Sequence, residues 1–134
     1  MIGICGASGL IGSALHRILC EKGYSVLGTY CHNYQPGLFK FDLRTDDPDL
    51  FKDCELVVIT SAYKKIKFCE ENILEAFWLN VFNTLRLIEY LTEKGIPALF
   101  ISSDAAIKPE LMETTYGKYK RIVEKYIKKK ERKY

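Results

Sequence analysis

The chain has 134 residues, enough for one domain with a single hydrophobic core. Apolar residues make up 48% of it and charged residues 28%, as in soluble globular proteins, and no apolar run is long enough to predict a membrane span. The net charge is +3, and nine Lys or Arg against two Glu between Lys118 and Tyr134 leave the rest of the chain slightly acidic.

The apolar patterning predicts strands and helices that alternate along the chain. The predicted strands are residues 1–5, 24–30, 38–42, 55–61 and 98–102. The predicted helices are residues 10–22, 71–94 and 113–130, and residues 46–52 are expected to form a loop or a short helix. This alternation predicts an α/β fold, with a parallel sheet of about five strands in the order 3-2-1-4-5 and helices on both faces.

A glycine-rich loop joins the first predicted strand to the first predicted helix. It reads Gly6-Ala7-Ser8-Gly9-Leu10-Ile11-Gly12. This spacing is typical of Rossmann-type domains, where the glycines permit a tight turn, close approach of a pyrophosphate and close packing of helix on strand, and the helix N-terminus binds the phosphates. We therefore predict that residues 1–134 form one NAD(P)-binding domain. The alternative is a glycine-rich turn without a ligand, whereas a Walker loop is excluded because no Lys-Ser/Thr pair closes the run.

The end of the second strand bears on the choice between NAD and NADP, because an acidic residue there binds the ribose diol. Residues 28–33 contain no carboxylate, which favours NADP or no discrimination, and they contain no Arg. His32 is a candidate for contact with a 2′-phosphate; the alternative is an exposed loop residue.

Tyr116 and Lys120 are four residues apart on the last predicted helix and therefore share one face. An ammonium group beside a phenol lowers the pKa of the phenol, which makes Tyr116 a candidate general acid for a carbonyl that receives hydride. Ser103 follows the fifth strand, at the sheet edge where ligands bind, so its hydroxyl is placed to contact the same carbonyl oxygen. The alternative is a Tyr packed on the core and a solvated Lys.

These motifs together resemble those of the extended short-chain dehydrogenase/reductases, most closely the dTDP-4-dehydrorhamnose reductase branch, over essentially the whole chain. The resemblance implies reduction of a keto group on a nucleotide sugar, with Ser103, Tyr116 and Lys120 as catalytic residues and Asn80 supporting the proton relay. Cys69-Glu70-Glu71-Asn72 matches a further family segment. Beyond the glycine loop, the cofactor contacts that it implies are Tyr30, Asp42, Leu43, Ser61, Ala62, Tyr63, Tyr116 and Lys120.

Two departures from that family bear on function. Only residues 105–115 separate Ser103 from Tyr116, a shorter loop that still lets the two hydroxyls meet. The chain ends at Tyr134, where the family continues with a sixth strand and a substrate lobe, so we expect a domain truncated after the catalytic helix. The alternatives are therefore an NAD(P)-dependent reductase and a catalytically incomplete NAD(P)-binding module that acts as a regulatory or sensor subunit.

The remaining expectations concern compartment and partners. Residues 1–5 lack the features of a signal peptide, and the five cysteines are widely spaced without a CxxC pair, which predicts a cytoplasmic protein without a metal site. We interpret the basic run 128–133 as a solvated helix end rather than a nucleic-acid contact. An uncovered fifth strand, together with an apolar stripe on the 71–94 helix, predicts a homodimer or a partner chain. That stripe comprises Phe77, Leu79, Phe82, Leu85 and Ile88.

Overall fold

A parallel sheet organises the N-terminal part of the chain in a computed structural model that describes residues 1–131. Within these residues the sheet has five strands in the order β3-β2-β1-β4-β5, and each neighbouring pair is parallel. The strands are β1 Ile2–Cys5, β2 Val26–Tyr30, β3 Phe39–Lys40, β4 Leu56–Ile59 and β5 Ala98–Phe100. The predicted α/β class and strand order are confirmed.

Helical segments follow the strands along the chain. They are α1 Leu10–Glu21, α2 Ile66–Glu71, α3 Ile73–Phe77, a π-helical stretch Trp78–Asn83, α4 Thr84–Glu93 and α5 Thr115–Glu131, with 3-10 turns at Pro48–Phe51 and Asp104–Ala106. The last turn of α5 carries Lys128, Lys129 and Lys130, where cations stabilise the negative end of a helix. Arg132, Lys133 and Tyr134 lie outside the described residues. No helix in the described part of the chain combines the length and apolar content needed to cross a bilayer.

The helix predicted over residues 71–94 is present as three consecutive helical segments from Ile73 to Glu93, and a separate helix, α2, precedes it. α2 already begins at Ile66 and ends before Asn72, whose backbone angles (φ −131°, ψ 59°) leave the helical region. The Phe68 carbonyl accepts from both the main-chain amide of Asn72 (2.9 Å) and its side-chain amide (3.0 Å). Apolar periodicity gave no signal for α2.

The π-helical stretch is stabilised by two side chains at its C-terminal end. Asn83 donates to the Trp78 carbonyl at 2.7 Å, and Thr84 donates to the Leu79 carbonyl at 2.9 Å. Both carbonyls lie five residues earlier, so the side chains supply bonds across the widened turn. Such π segments are frequent at functional sites, and this one contains Asn80.

The described chain forms two compact units. The sheet unit comprises Met1–Ser61 and Arg86–Ile101, and the helical unit comprises Ala62–Leu85 and the chain from Ser102 onward. The core of the sheet unit is fully buried, as in parallel sheets generally. Its largest members are Phe51, Ile4, Ile59, Leu87, Leu91 and Val57. The helical unit has a separate cluster of Cys69, Ala76, Ala105 and Tyr116.

The apolar face of α1 is more exposed than its periodicity suggested. Gly12 is buried within α1, whereas Leu10 is 84% exposed, Ile11 49% and Ile18 40%. Gly12 is thus the buried residue of α1, while Leu15 and Leu19 are half-buried.

Thr29 ties the glycine loop to the sheet. Its hydroxyl oxygen accepts from the Gly6 amide at 3.1 Å and donates to the Ile4 carbonyl at 3.3 Å, and the side chain is buried. The bond from the Gly6 amide fixes the first residue after β1 against the C-terminal end of β2.

We predict that Thr29→Val lowers the free energy of unfolding by about 1–3 kcal/mol, because a buried amide loses its acceptor while the side-chain volume stays the same. Urea denaturation measures the change. Thr45→Val is the matched control, since Thr45 is exposed, and equal stability losses in the two variants would contradict the role of Thr29.

Candidate functional site

The glycine loop of the sheet unit makes a tight turn that depends on its glycines. Gly6 has φ +96°, and the Gly9 amide donates to the Gly6 carbonyl at 3.2 Å. A Cβ on Gly6 would lie 2.6 Å from the Ser61 hydroxyl oxygen, and a Cβ on Gly12 would overlap the Gly6 carbonyl oxygen. Thr60 donates to the Cys5 and Gly6 carbonyls at 3.0 and 2.9 Å, which holds the turn from the neighbouring strand.

The N-terminus of α1 presents main-chain amides rather than side chains. Among residues 1–131, no side chain caps this helix at Gly9. The Leu10 and Ile11 side chains are exposed, and the Ser8 carbonyl accepts from the Gln35 side chain at 3.4 Å. The turn has no room for a Cβ, and the uncapped amides and positive dipole end of α1 follow it directly. This arrangement fits the diphosphate of a dinucleotide. The predicted contacts in residues 6–12 therefore share one turn.

Side chains that are separated in the sequence lie close together just after β2 and β3. The Asp42 carboxylate accepts from the Arg44 side chain through Nε (3.0 Å) and Nη2 (2.9 Å), which holds the pKa of Asp42 below its ordinary value. The Cys31 pKa is raised mainly by burial and also responds to the charges of Asp42 and Arg44. His32 is exposed and lies beside Cys31, with Nε2 3.5 Å from Sγ. Arg44 is thus a cation beside the end of β2 that local inspection of residues 28–33 missed.

The other predicted contacts in the sheet unit have structural partners. Leu43 is buried, and its carbonyl accepts from Arg86 at 2.9 Å. Tyr30 packs edge-to-face on Tyr34, with ring centroids 5.4 Å apart. The Ser61 hydroxyl lies 3.3 Å from the Cys5 sulfur, and its predicted contact with the cofactor remains a prediction.

Asn80 holds the segment that begins the helical unit. Its side-chain oxygen accepts from the Tyr63 amide at 2.8 Å, and its side-chain nitrogen donates to the Tyr63 carbonyl at 2.9 Å. Ala62 directly precedes this clamped residue, and the Tyr63 hydroxyl donates to Glu75 at 2.9 Å. Asn80 is buried in the π-helical stretch, so the structure gives it a positioning contact, and its part in a proton relay remains a prediction.

Ser103 and Tyr116 meet in the helical unit despite the short intervening loop. Ser103 follows β5 in an extended conformation, and its hydroxyl accepts from the Ala105 amide at 3.2 Å. Gly117 allows the first turn of α5 to approach this loop, because a Cβ there would overlap the Ala105 carbonyl oxygen and lie 2.6 Å from that of Leu111. Ser103 is near enough to the Tyr116 phenol to lower its pKa.

The predicted lowering of the Tyr116 pKa by its lysine is wrong for this structure. Burial is the largest influence and raises the pKa of Tyr116, against the smaller effect of Ser103. Lys120 is only 5% exposed, and burial lowers its own pKa to about 8. Its Nζ lies 5.7 Å from the centre of the Tyr116 ring. Desolvation of both groups therefore outweighs the attraction that their helical spacing suggested.

Glu70, in the Cys69–Asn72 segment, holds the start of α5. Its carboxylate accepts from the Thr115 amide at 2.6 Å, at the start of α5, where a negative group offsets the helix dipole. Cys69 packs in the core cluster with Tyr116, and the Tyr119 hydroxyl donates to the Ile73 carbonyl at 3.1 Å. These contacts fix the helix that carries Tyr116 and Lys120. Residues so distant in sequence give no local signal.

A comparison with family models matches residues 2–134 to the NAD dependent epimerase/dehydratase family. The chain belongs to this family. The expected resemblance to the extended short-chain dehydrogenase/reductases is thereby confirmed.

Individual relatives share the fold and cover more than one named reaction. The chain is 31% identical over 110 residues to the probable low-salt glycan biosynthesis reductase Agl14 of Haloferax volcanii, an alignment covering 75% of this chain and 36% of that protein. It is similar to a hypothetical dTDP-4-dehydrorhamnose reductase from Sulfolobus tokodaii (TM-score 0.81, 23% identity, 93% of this chain and 50% of the other). It is also similar to the Thermus thermophilus UDP-glucose 4-epimerase in complex with NAD (TM-score 0.83, 22% identity, 99% and 51%). The chain spans about half the length of these structures or less.

We predict that Lys120→Met raises the free energy of unfolding at pH 7 by about 1–3 kcal/mol. The pKa of Lys120 is about 8 in the folded chain and 10.5 as its ordinary value, so burying its charge costs stability below pH 8. This cost falls as the pH rises from about 8 to above 10, and the advantage of the variant shrinks with it.

Urea denaturation at a series of pH values measures this effect. Lys118→Met on the same helix is the control, because Lys118 is exposed and should give no such pH dependence. A Lys120→Met variant whose stability difference from wild type stays constant between pH 7 and pH 10 would contradict the burial of a titrating ammonium group.

Proposed function

We propose that this chain carries the cofactor site and catalytic residues of an NAD(P)-dependent oxidoreductase that reduces a keto group on a nucleotide sugar. The main support for the proposal is the Ser103, Tyr116 and Lys120 set, in which Ser103 is near enough to lower the pKa of the phenol and the ammonium lies 5.7 Å from the centre of the tyrosine ring. Family membership and the glycan biosynthesis reductase relative support the same class of reaction.

Each of these residues has a role that follows from its chemistry. Residues 6–12 hold the diphosphate, and the nicotinamide cofactor, when bound, supplies the hydride. Ser103 orients the substrate carbonyl oxygen through its hydroxyl. Tyr116, kept protonated by burial, donates a proton to that oxygen. Lys120 holds the cofactor ribose, and Asn80 keeps the adjoining main chain of Tyr63 in place.

The cofactor is proposed to be NADP, with NAD as the alternative. The end of β2 offers the His32 imidazole and, near it, the Arg44 guanidinium, and neither Cys31 nor Asn33 is acidic. An Arg side chain near this position favours a 2′-phosphate. The two hydrogen bonds from Arg44 to the Asp42 carboxylate partly neutralise the Arg44 charge. The structure of the Thermus epimerase is a complex with NAD. NAD is therefore the alternative cofactor.

We also propose a homodimer or a complex with a partner chain in the cytoplasm. Phe82 of the predicted stripe is 47% exposed, and Trp78, one helical turn earlier, is 50% exposed and packs against it. An exposed aromatic pair of this kind is typical of an interface.

We predict that the chain oxidises NADPH in the presence of a 4-keto nucleotide sugar and that Tyr116→Phe reduces kcat about 10²–10⁴-fold, because the variant keeps the ring but loses the proton donor. The decrease in absorbance of the reduced nicotinamide measures the rate. Tyr119→Phe is the matched control, since Tyr119 lies on the same helix and its hydroxyl bonds the Ile73 carbonyl.

Turnover that survives Tyr116→Phe would overturn the assigned proton donor. Absence of turnover with both NADPH and NADH would contradict the enzymatic proposal. A dinucleotide-binding module without turnover, acting as a regulatory or sensor subunit, would then be the better description.

A further inference from the structure

A side-chain bond joins the segment after β5 to α5 on the side away from Ser103. The Ser102 hydroxyl donates to a carboxylate oxygen of Glu124. Because Ser103 has an extended backbone, the side chains of Ser102 and Ser103 lie on opposite sides of the chain. Glu124 therefore holds the residue next to Ser103 without occupying the Ser103 hydroxyl.

Glu124 also lies one helical turn after Lys120 and acts on its charge. Three groups around the ammonium bear on it within the helical unit: the Tyr116 ring at 5.7 Å, the Lys64 ammonium, and the Glu124 carboxylate. Burial and Lys64 disfavour the charged form of Lys120, and Glu124 favours it. Tyr116 in turn responds to the Cys69 thiol and to Asp104, both of which raise its pKa.

We infer that Glu124 is a positioning residue, which ties Ser102 to the helix carrying Tyr116 and Lys120 and places a negative charge one helical turn from the Lys120 ammonium. One half-buried carboxylate thus acts on two of the three proposed catalytic groups, on Ser103 through its neighbour and on Lys120 through charge. This inference rests on the proposed function, since holding these groups in place serves a proton-donating site.

The two roles of Glu124 separate in three variants. Glu124→Gln retains an acceptor for Ser102 but removes the charge, whereas Ser102→Ala removes the bond but keeps the charge. Glu131→Gln removes an exposed carboxylate from the end of the same helix and is the matched control for net charge. Circular dichroism and thermal unfolding verify the fold of each variant.

The measurement is the titration of Lys120 by NMR of chain labelled with ¹³C at the lysine Cε, with the signal assigned by Lys120→Arg. The expected midpoint in the wild-type chain is about 8. In Glu124→Gln the midpoint falls below the wild-type value, because Lys64 and burial act without an opposing charge. Ser102→Ala and Glu131→Gln leave it unchanged.

A Lys120 midpoint that is the same in Glu124→Gln as in the wild-type chain would overturn the inference. So would an equal fall in Ser102→Ala, which would assign the effect to lost packing rather than to charge. In the NADPH assay, the fall of kcat at high pH should begin at lower pH in Glu124→Gln. If no variant turns over, the proposed function fails, while the NMR titration still decides the role of Glu124.

Discussion

The close approach of two main-chain segments, at Gly6 and Gly12, is the constraint on which the candidate cofactor site depends. A Cβ on Gly12 would occupy the position of the Gly6 carbonyl oxygen, so the first turn of α1 packs directly on the end of β1. Thr29 and Thr60 hold the same turn from the two neighbouring strands. The turn carries the uncapped amides of α1, at the end of the strands where parallel sheets bind nucleotides, and these amides are the proposed site of the diphosphate.

Desolvation sets the protonation of the candidate catalytic residues Lys120 and Tyr116. Lys120 and Tyr116 are both buried, so the ammonium is readily deprotonated and the phenol is reluctant to ionise. A phenol that keeps its proton suits a donor to a carbonyl oxygen, and a lysine that titrates near neutral pH makes the site sensitive to nearby charges such as Glu124. The contacts of Asn80 with Tyr63 and of Glu70 with α5 hold these groups through the main chain.

Much of the fold could be predicted from the sequence because its signals are local. The glycine spacing in residues 6–12, the apolar strands and the spacing of Tyr116 and Lys120 each depend on a few consecutive residues. The π-helical stretch within the predicted 71–94 helix could not be predicted in this way, since it depends on side-chain bonds made by Asn83 and Thr84. The direction of the Tyr116 pKa shift was likewise out of reach, because spacing shows that two groups are neighbours but not how deeply they are buried. The effects of Arg44 on Cys31 and of Glu124 on Ser102 could not be predicted either, because these pairs are distant in sequence and only the fold brings them together.

Isothermal titration calorimetry of the folded chain with NADPH and with NADH tests the central claim, that the turn at residues 6–12 binds a dinucleotide. We expect saturable heat at one site per chain with at least one of the two nucleotides, and tighter binding of NADPH if Arg44 and His32 meet a 2′-phosphate. A chain of verified fold that gives no binding heat with either nucleotide, even at millimolar ligand, would contradict it.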